Sequence, residues 1–398
     1  LGYLVKAGGK TAAAYANQDA LDYYARALEV CDRMSEAPMG ALMDIYSGKA
    51  GVCLTINQWT GVVDNYSRLR ELARSAGNRA VEGMALGGVA WGHVWTHEFD
   101  LAEAEAQEAV ALADELNDDA VRAAGIFVLA TLDNTRGNLT SGRERVTEAI
   151  RLCQETAQPA SEVFSRFFHA INYSWRALYE QAHRIAAEAV AASELHHVTV
   201  PLLMAKWEQG LAFAGHGRYS DAIAALRDTI ALCERMGDNS VQSRCWNTLG
   251  WVHGELCNWD RGIEFNQKGL DLALTLGDPE ITINAQINLA DYAFATGERE
   301  RARRELEALY ASLPELHEWM KWRYSQHIMH SLGDVILTEG DAERAFVLAD
   351  ECLALAEPTE TRKNIVKGRR LRGQVFLAQG KLAEAEKEMA TALQIARE

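Results

Sequence analysis

Apolar residues recur at three- and four-residue spacing along almost the whole chain. Ile223, Leu226, Ile230 and Leu232 are typical, and that period puts them on one face of an α-helix, whereas no stretch alternates as a strand would. A longer period lies over the short one. A small residue opens the second helix of each predicted pair, at Ala20, Val62, Ala102, Gly142, Ala182, Ala222, Gly262, Ala302, Ala345 and Ala385. The intervals are 42, then 40 six times, then 43, then 40. Twelve residues before these anchors stand Gly8, Ala50, Ala90, Ala130, Ala170, Gly210, Gly250, Ala290, Gly333 and Gly373. All ten are Gly or Ala, although Gly inside a helix costs about 0.5–1 kcal/mol relative to Ala. Close approach of two backbones explains the restriction. The pattern predicts an all-α chain of ten helix pairs.

Punctuation follows the same period. Gly137, Gly217, Gly297, Gly340 and Gly380 stand five residues before their anchors, with Asn57 in the equivalent place, and mark the turn within each pair. Gly77, Gly237 and Gly277, with Asn117 likewise, stand fifteen residues after theirs, where a left-handed residue would end the second helix. All six prolines are expected between units, because a missing N–H breaks a helix interior.

The fullest copy of the unit runs from Trp246 to Asn266. Trp246, Leu249, Gly250 and His253 follow the spacing W-x2-L-G-x2-Y, and Gly262 and Asn266 follow A-x3-F with both residues substituted. This unit resembles the tetratricopeptide (TPR) repeat, a helix–turn–helix pair that buries its apolar face only by stacking on further copies. The resemblance implies a single right-handed α-α superhelix over 1–398, with each unit touching mainly its neighbours. Units of 40 residues exceed the roughly 34 of many TPR proteins. In that they resemble the superhelical domains of maltose-regulon activators and related large bacterial ATPase regulators. The run Ala12 to Leu28, with Tyr15-Ala16-Asn17, Tyr23-Tyr24 and Ala27-Leu28, is similar to the segment after the nucleotide-binding module in such regulators or in ATPase-linked cyclases. The chain starts at Leu1 and stops within a helical pattern, as expected of a piece of a larger multidomain protein.

Charge narrows the possible partners. The net charge of −16 opposes binding of nucleic acid or anionic membrane by the surface as a whole. Cationic residues nonetheless gather in the last unit, at Arg362, Lys363, Lys367, Arg369, Arg370 and Arg372. Three readings stand side by side for this patch: a solvated face, a dock for an acidic neighbour such as another domain of the parent, and direct nucleic-acid contact. The last is the weakest, since no aromatics interleave the charges. No apolar run approaches the roughly 20 residues of a membrane span. Seven cysteines without a C-x-x-C spacing, three of them (Cys31, Cys153, Cys233) at one repeat position, read as reduced core residues of a cytoplasmic protein.

Catalytic and metal signals are weak throughout. Gly8-Gly9-Lys10-Thr11 lacks the earlier glycine of a phosphate loop, Leu4 standing there instead. His93 with His97, His327 with His330, and His196-His197 have pairs but no third ligand at a metal-binding spacing. There is no nucleophile elbow and no HExxH. Neither an enzyme nor a cofactor is expected.

What remains is recognition. In TPR units the first helix lines the concave surface with a stripe that falls eighteen, fifteen, eleven, eight and seven residues before each anchor here. Transferred to this chain, the stripe contains Trp91, Trp95, Phe164, Phe167, Trp175, Trp207, Trp251 and Phe294, with Arg244, Asn247 and Asp291 as polar members. The competing reading is that longer units rotate some of these aromatics into the helix–helix core. The expected function is a non-catalytic domain that binds a protein or peptide within a signalling or transcription-regulatory protein, the alternative being an inducer-sensing domain for a small molecule.

Overall fold

The computed structural model describes residues 1–196, 198–316, 318 and 320–397. Among these residues there are twenty α-helices and no strand. The helices pair as α1 (Gly2–Ala13) with α2 (Asn17–Asp32), α3 (Met39–Thr55) with α4 (Trp59–Ser75), α5 (Arg79–Trp95) with α6 (Phe99–Leu116), and α7 (Asp119–Arg136) with α8 (Leu139–Glu155). The series continues with α9 (Pro159–Trp175) and α10 (Tyr179–His196), α11 (Thr199–Gly215) and α12 (Tyr219–Met236), and α13 (Asn239–Glu255) and α14 (Trp259–Leu276). It ends with α15 (Pro279–Ala295) and α16 (Arg299–Ser312), α17 (Lys321–Thr338) and α18 (Ala342–Ala356), and α19 (Arg362–Ala378) and α20 (Leu382–Arg397). Backbone contacts separate two compact units, one of Leu1–Leu132 and Ser141–Ser165, the other of Asp133–Thr140 and Arg166–Glu398. No helix among the described residues is long and apolar enough to cross a membrane.

The small residues do what their period predicts. All ten anchors and all ten partners twelve residues earlier are buried. A Cβ on Gly250 would lie 2.9 Å from the backbone N of Asn266, and one on Gly210 would lie 2.7 Å from the Leu226 side chain. These distances are shorter than carbon atoms tolerate, so the helices can meet only over hydrogen. Gly8 is one of these sites, inside α1 and against the Tyr24 ring, rather than part of a phosphate-binding loop.

The turns are more uniform than the sequence suggests. All ten residues five before the anchors have left-handed backbone, including Tyr15, His97, Ala177 and Cys257, which lack the glycine signal. Each such residue costs roughly 1–2 kcal/mol, and helix–helix packing together with the closing bonds offsets it. In the seventh pair, for example, the N–H groups of Cys257 and Asn258 reach the carbonyls of Gly254 and His253 at 2.9 Å each. Ala157 and Glu360 likewise join Gly77, Asn117, Gly237 and Gly277 in left-handed conformation after the second helices. The prolines need one correction: Pro159, Pro201 and Pro279 lie within the first turns of α9, α11 and α15, not between units. Helical N–H groups there have no partner to lose.

Stacking on neighbours does not account for the whole second unit. Trp322 of α17 donates its indole N–H to the carbonyl of Thr135 at 2.9 Å, and Leu139 joins the apolar cluster built from α15 to α19. Asn172 donates to Asn134 Oδ1 at 2.7 Å and to the Leu139 carbonyl at 2.8 Å, and Arg176 pairs with Glu360. The turn at 133–140 is thus held against helices far along the chain, which departs from nearest-neighbour contact alone.

Two substitutions test this packing. Gly250→Leu should lower unfolding stability by about 1–3 kcal/mol or more through overpacking against α14, and Ala177→Gly should raise it by up to about 1 kcal/mol by relieving the left-handed turn. Denaturant titration followed by far-UV circular dichroism reads both signs.

Candidate binding cavity

A cavity of about 430 Å³ opens within the second unit. Its walls come from the first helices of six consecutive pairs, α9, α11, α13, α15, α17 and α19, with Tyr179, Cys257, Trp259 and Thr361 contributed by turns and helix starts. Of the stripe residues, Trp175, Trp207, Asn247, Trp251 and Asp291 line it. Arg244 lies behind the wall, almost fully buried, with its guanidinium on Asp278 at 2.6 Å and Glu280 at 3.0 Å and its Cζ 5.9 Å from the centre of the Trp207 ring. Burial pushes the Asp278 carboxyl up, but Arg244 more than offsets it and leaves the pKa below the ordinary value. Phe167 packs between Phe168 and Trp207, and Phe294 packs against the apolar cluster of the last pairs. Trp91, Trp95 and Phe164 belong to the first unit, where Trp91 contacts Trp59, Trp95, Phe127 and Phe164 at ring separations of 4.8–6.5 Å.

An amide network forms one wall. Asn266, fully buried on α14, accepts from Asn247 Nδ2 at 2.9 Å and Asn288 Nδ2 at 3.1 Å, and donates to the Gly262 carbonyl at 2.9 Å and to Tyr292 at 3.3 Å. Tyr292 in turn donates to the Gly250 carbonyl at 2.9 Å, and Asn284 donates to Asn247 Oδ1 at 2.8 Å. Both lone pairs and both N–H groups of Asn266 are therefore in use. The consequence is orientation: Asn247, Asn284, Asn288 and Tyr292 face the cavity in fixed rotamers. Trp207 is fixed as well, its indole N–H reaching Thr248 Oγ1 at 2.9 Å.

Charge is concentrated at the α15–α17–α19 side. His327 Nε2 stands 3.3 Å from Asp291 Oδ2. Burial, with Lys367 and Lys363 nearby, lowers His327 to about 4 despite that carboxylate, so the imidazole is neutral at pH 7. Burial raises Asp291, but His327, Lys367 and the Ser331 hydroxyl together outweigh it and hold the carboxyl below its ordinary range. His330 is pushed well down by burial and by the same lysines. Lys363 lies 4.1 Å over the Trp251 ring and is lowered to about 7, first by burial and then by Lys367.

The C-terminal basic cluster divides in two. Lys363 and Lys367 line the cavity, whereas Arg369 pairs with Glu357 and Glu388, Arg370 with Asp334, and Arg372 with Asp350 and Glu388. Those three arginines tie helices together, and Arg362 stays partly exposed. His93 is held by Glu105 at 2.7 Å, and no group of three or more metal-ligating side chains occurs among the described residues. His197 lies outside the described residues. Cys31, Cys153 and Cys233 are buried free thiols, as are Cys53, Cys245 and Cys352, while Cys257 is exposed.

Several lining residues were missed at the level of sequence. Asn284, His327, His330 and Lys367 sit at stripe positions of the last three units, and carrying the polar as well as the aromatic members through would have named them. Glu280, Arg323 and Lys363 stand twenty-two residues before their anchors, one helical turn beyond the stripe. The longer first helix of a 40-residue unit supplies that extra turn. Tyr179 and Trp259 come from second-helix starts and have no signal in the first-helix period.

No protein-family model matches the chain, and no curated protein matches it in sequence. Solved structures do. A Rap protein complexed with Competence and Sporulation Factor superimposes with a TM-score of 0.66 at 9% identity, over 90% of this chain and 98% of that one. The Rap conjugation gene regulator of plasmid pLS20, in complex with the Phr* peptide, gives 0.60 at 13% identity, over 87% and 95%. A STAND signal-transduction ATPase with a tetratricopeptide repeat sensor, from Pyrococcus horikoshii, gives 0.50 at 14% identity, over 89% of this chain and 52% of that one. The fold is the TPR-type helical solenoid. At these identities the likeness concerns architecture alone.

Behind the cavity wall, Glu208 is fully buried, accepts from Ser174 and has no partner for its second oxygen. Burial raises it from 4.5 to about 8. The folded state therefore holds a proton that the unfolded chain releases above pH 4.5, so the protonated carboxyl stabilises the fold fully below pH 4.5 and loses that contribution as pH climbs to about 8. Glu208→Gln should flatten the fall in melting temperature across this window and make the variant more stable than the parent at its upper end, on the order of 2–4 kcal/mol. Thermal unfolding at a series of pH values measures it.

Proposed function

We propose that this protein is a non-catalytic, peptide-binding regulatory module. The observation that carries the reading is the cavity wall of preoriented amides, Asn247, Asn284, Asn288 and Asn364, interleaved with Trp175, Trp207, Trp251 and Trp259 on consecutive repeats. A side-chain amide offers one carbonyl and one NH₂ group, which complement the N–H and C=O of an extended peptide backbone. Asn284 and Asn288 use an N–H on the network, leaving their carbonyl oxygens for a ligand. Indole faces bury apolar side chains between those polar contacts. Rap structures of the same fold, one of them with the Phr* peptide bound, support the assignment.

As a recognition domain of this fold, the chain serves within a signalling or transcription-regulatory protein of several domains, all of 1–398 forming one repeat array. The likeness to a STAND ATPase with a TPR sensor is the support for that context. A small-molecule inducer is the second reading, favoured by the cavity volume of about 430 Å³, which lies within the range of small-ligand sites. Native mass spectrometry of protein purified from its own cells separates the two by the mass of the bound species.

Trp251→Ala and Asn284→Ala each truncate a cavity side chain without touching the helix-pair anchors. Each should weaken peptide binding by about tenfold or more, as loss of an interface hot spot does, with helical content unchanged. Isothermal titration with a peptide recovered from the protein gives the comparison, and parental affinity in both variants would overturn the reading.

A further inference from the structure

We propose that the end of the cavity formed by Lys363, Lys367 and His330 is a subsite for a carboxylate carried by the bound peptide. The inference rests on the peptide reading above and specifies the ligand it requires.

Three observations converge. The cavity's own carboxylates are already engaged: Glu280 is paired with Arg244 at 3.0 Å, Asp291 faces His327 at 3.3 Å, and Glu255 accepts the Trp251 indole N–H at 2.7 Å. The two ammonium groups are not, for neither Lys363 nor Lys367 forms an ion pair among the described residues. Lys363 is instead held over the Trp251 ring at 4.1 Å, which fixes its position without neutralising it. His330, 2% exposed, presents an Nε2 with no hydrogen-bond partner, while its Nδ1 lies 3.3 Å from Ser331 Oγ. A buried ring nitrogen without a partner carries a desolvation cost that a ligand atom relieves.

The electrostatics agree. Burial and Lys367 lower Lys363 to about 7, and both lysines, with Arg370, depress His330 after burial itself. The Lys363 and Lys367 charges share a partly desolvated space with Asp291 and Glu255, neither of which is within ion-pair distance of them, and an incoming carboxylate would accept N–H bonds from both ammonium groups directly. The groups facing this end are Lys363, Lys367 and Asn364 from α19, His327 and His330 from α17 with Arg323 further along it, Asp291 from α15 and Glu255 from α13. A single negative charge suits this balance. A phosphate dianion would meet Asp291 and Glu255 across the same cavity, so the C-terminal carboxylate or an acidic side chain is the better occupant.

The test uses affinity selection on the full chain, read by mass spectrometry, against randomised pentapeptide pools. One pool has free C-termini, a second has C-terminal carboxamides, a third has carboxamides and no Asp or Glu, and a fourth adds phosphoserine to the third. Retention from the first pool should exceed that from the third by about tenfold, as expected for a desolvated charge pair. The second pool decides between sources: enrichment of peptides with Asp or Glu assigns a side-chain carboxylate, and retention no higher than that of the third pool assigns the C-terminus. In a Lys363→Met, Lys367→Met variant the preference should vanish while carboxamide peptides are still held. If that variant does not fold, the parental comparison decides alone. Equal retention from the first and third pools would overturn the carboxylate subsite and leave peptide binding standing. Preference for the phosphoserine pool would likewise overturn it, and no retention from any pool would remove both readings.

Discussion

The close approach of α13 and α14 is the constraint on which the site depends. Gly250 and Gly262 let the two backbones meet: a Cβ at Gly262 would stand 3.4 Å from the Gly250 carbonyl oxygen, and one at Gly250 would collide with Asn266. At that separation there is no room for the aromatic that a TPR unit carries four residues after its anchor. Asn266 occupies the place instead. Being short and polar, it fits beneath the α13 backbone and joins that helix to α15 through Asn247, Asn288 and Tyr292.

A buried amide is costly unless all its bonds are made, and here they are made by the residues that face the cavity. Packing and recognition are thereby linked. The anchor glycines set the helix spacing, the spacing admits Asn266, and Asn266 fixes the rotamers of the cavity amides. The same logic extends outward through Trp207, locked by Thr248 and by the Arg244 guanidinium, which is itself clamped by Asp278 and Glu280. Such preorganisation lowers the ordering cost of binding.

The helix pairs, their turns and their order are legible in the sequence because one steric pattern recurs in ten units, seven of the nine intervals between them being 40 residues. Local exceptions are not. Tyr15, His97, Ala177 and Cys257 carry no sign of left-handed backbone, since packing of the pair, not residue preference, imposes it. The stripe rule reaches Trp175, Trp207, Asn247, Trp251 and Asp291 but cannot tell that Phe167 and Arg244 turn inward, because one helical face serves both the cavity and the helix–helix seam. Nor can it separate the aromatic cluster of Trp91, Trp95 and Phe164 from the cavity, for both belong to the same repeat position in different units. The basic cluster misleads for a related reason: composition records six cations in one segment, whereas three of them meet carboxylates brought close only by the fold.

These two sets of tryptophans make the central claim directly measurable. Fluorine NMR of protein labelled with 5-fluorotryptophan, its resonances assigned by single Trp→Phe substitutions, distinguishes Trp175 and Trp251 in the cavity from Trp91 and Trp95 in the first unit. On addition of a retained peptide, the Trp175 and Trp251 signals should shift while those of Trp91 and Trp95 hold their positions. Shifts confined to Trp91 and Trp95 would contradict the assignment of the binding site.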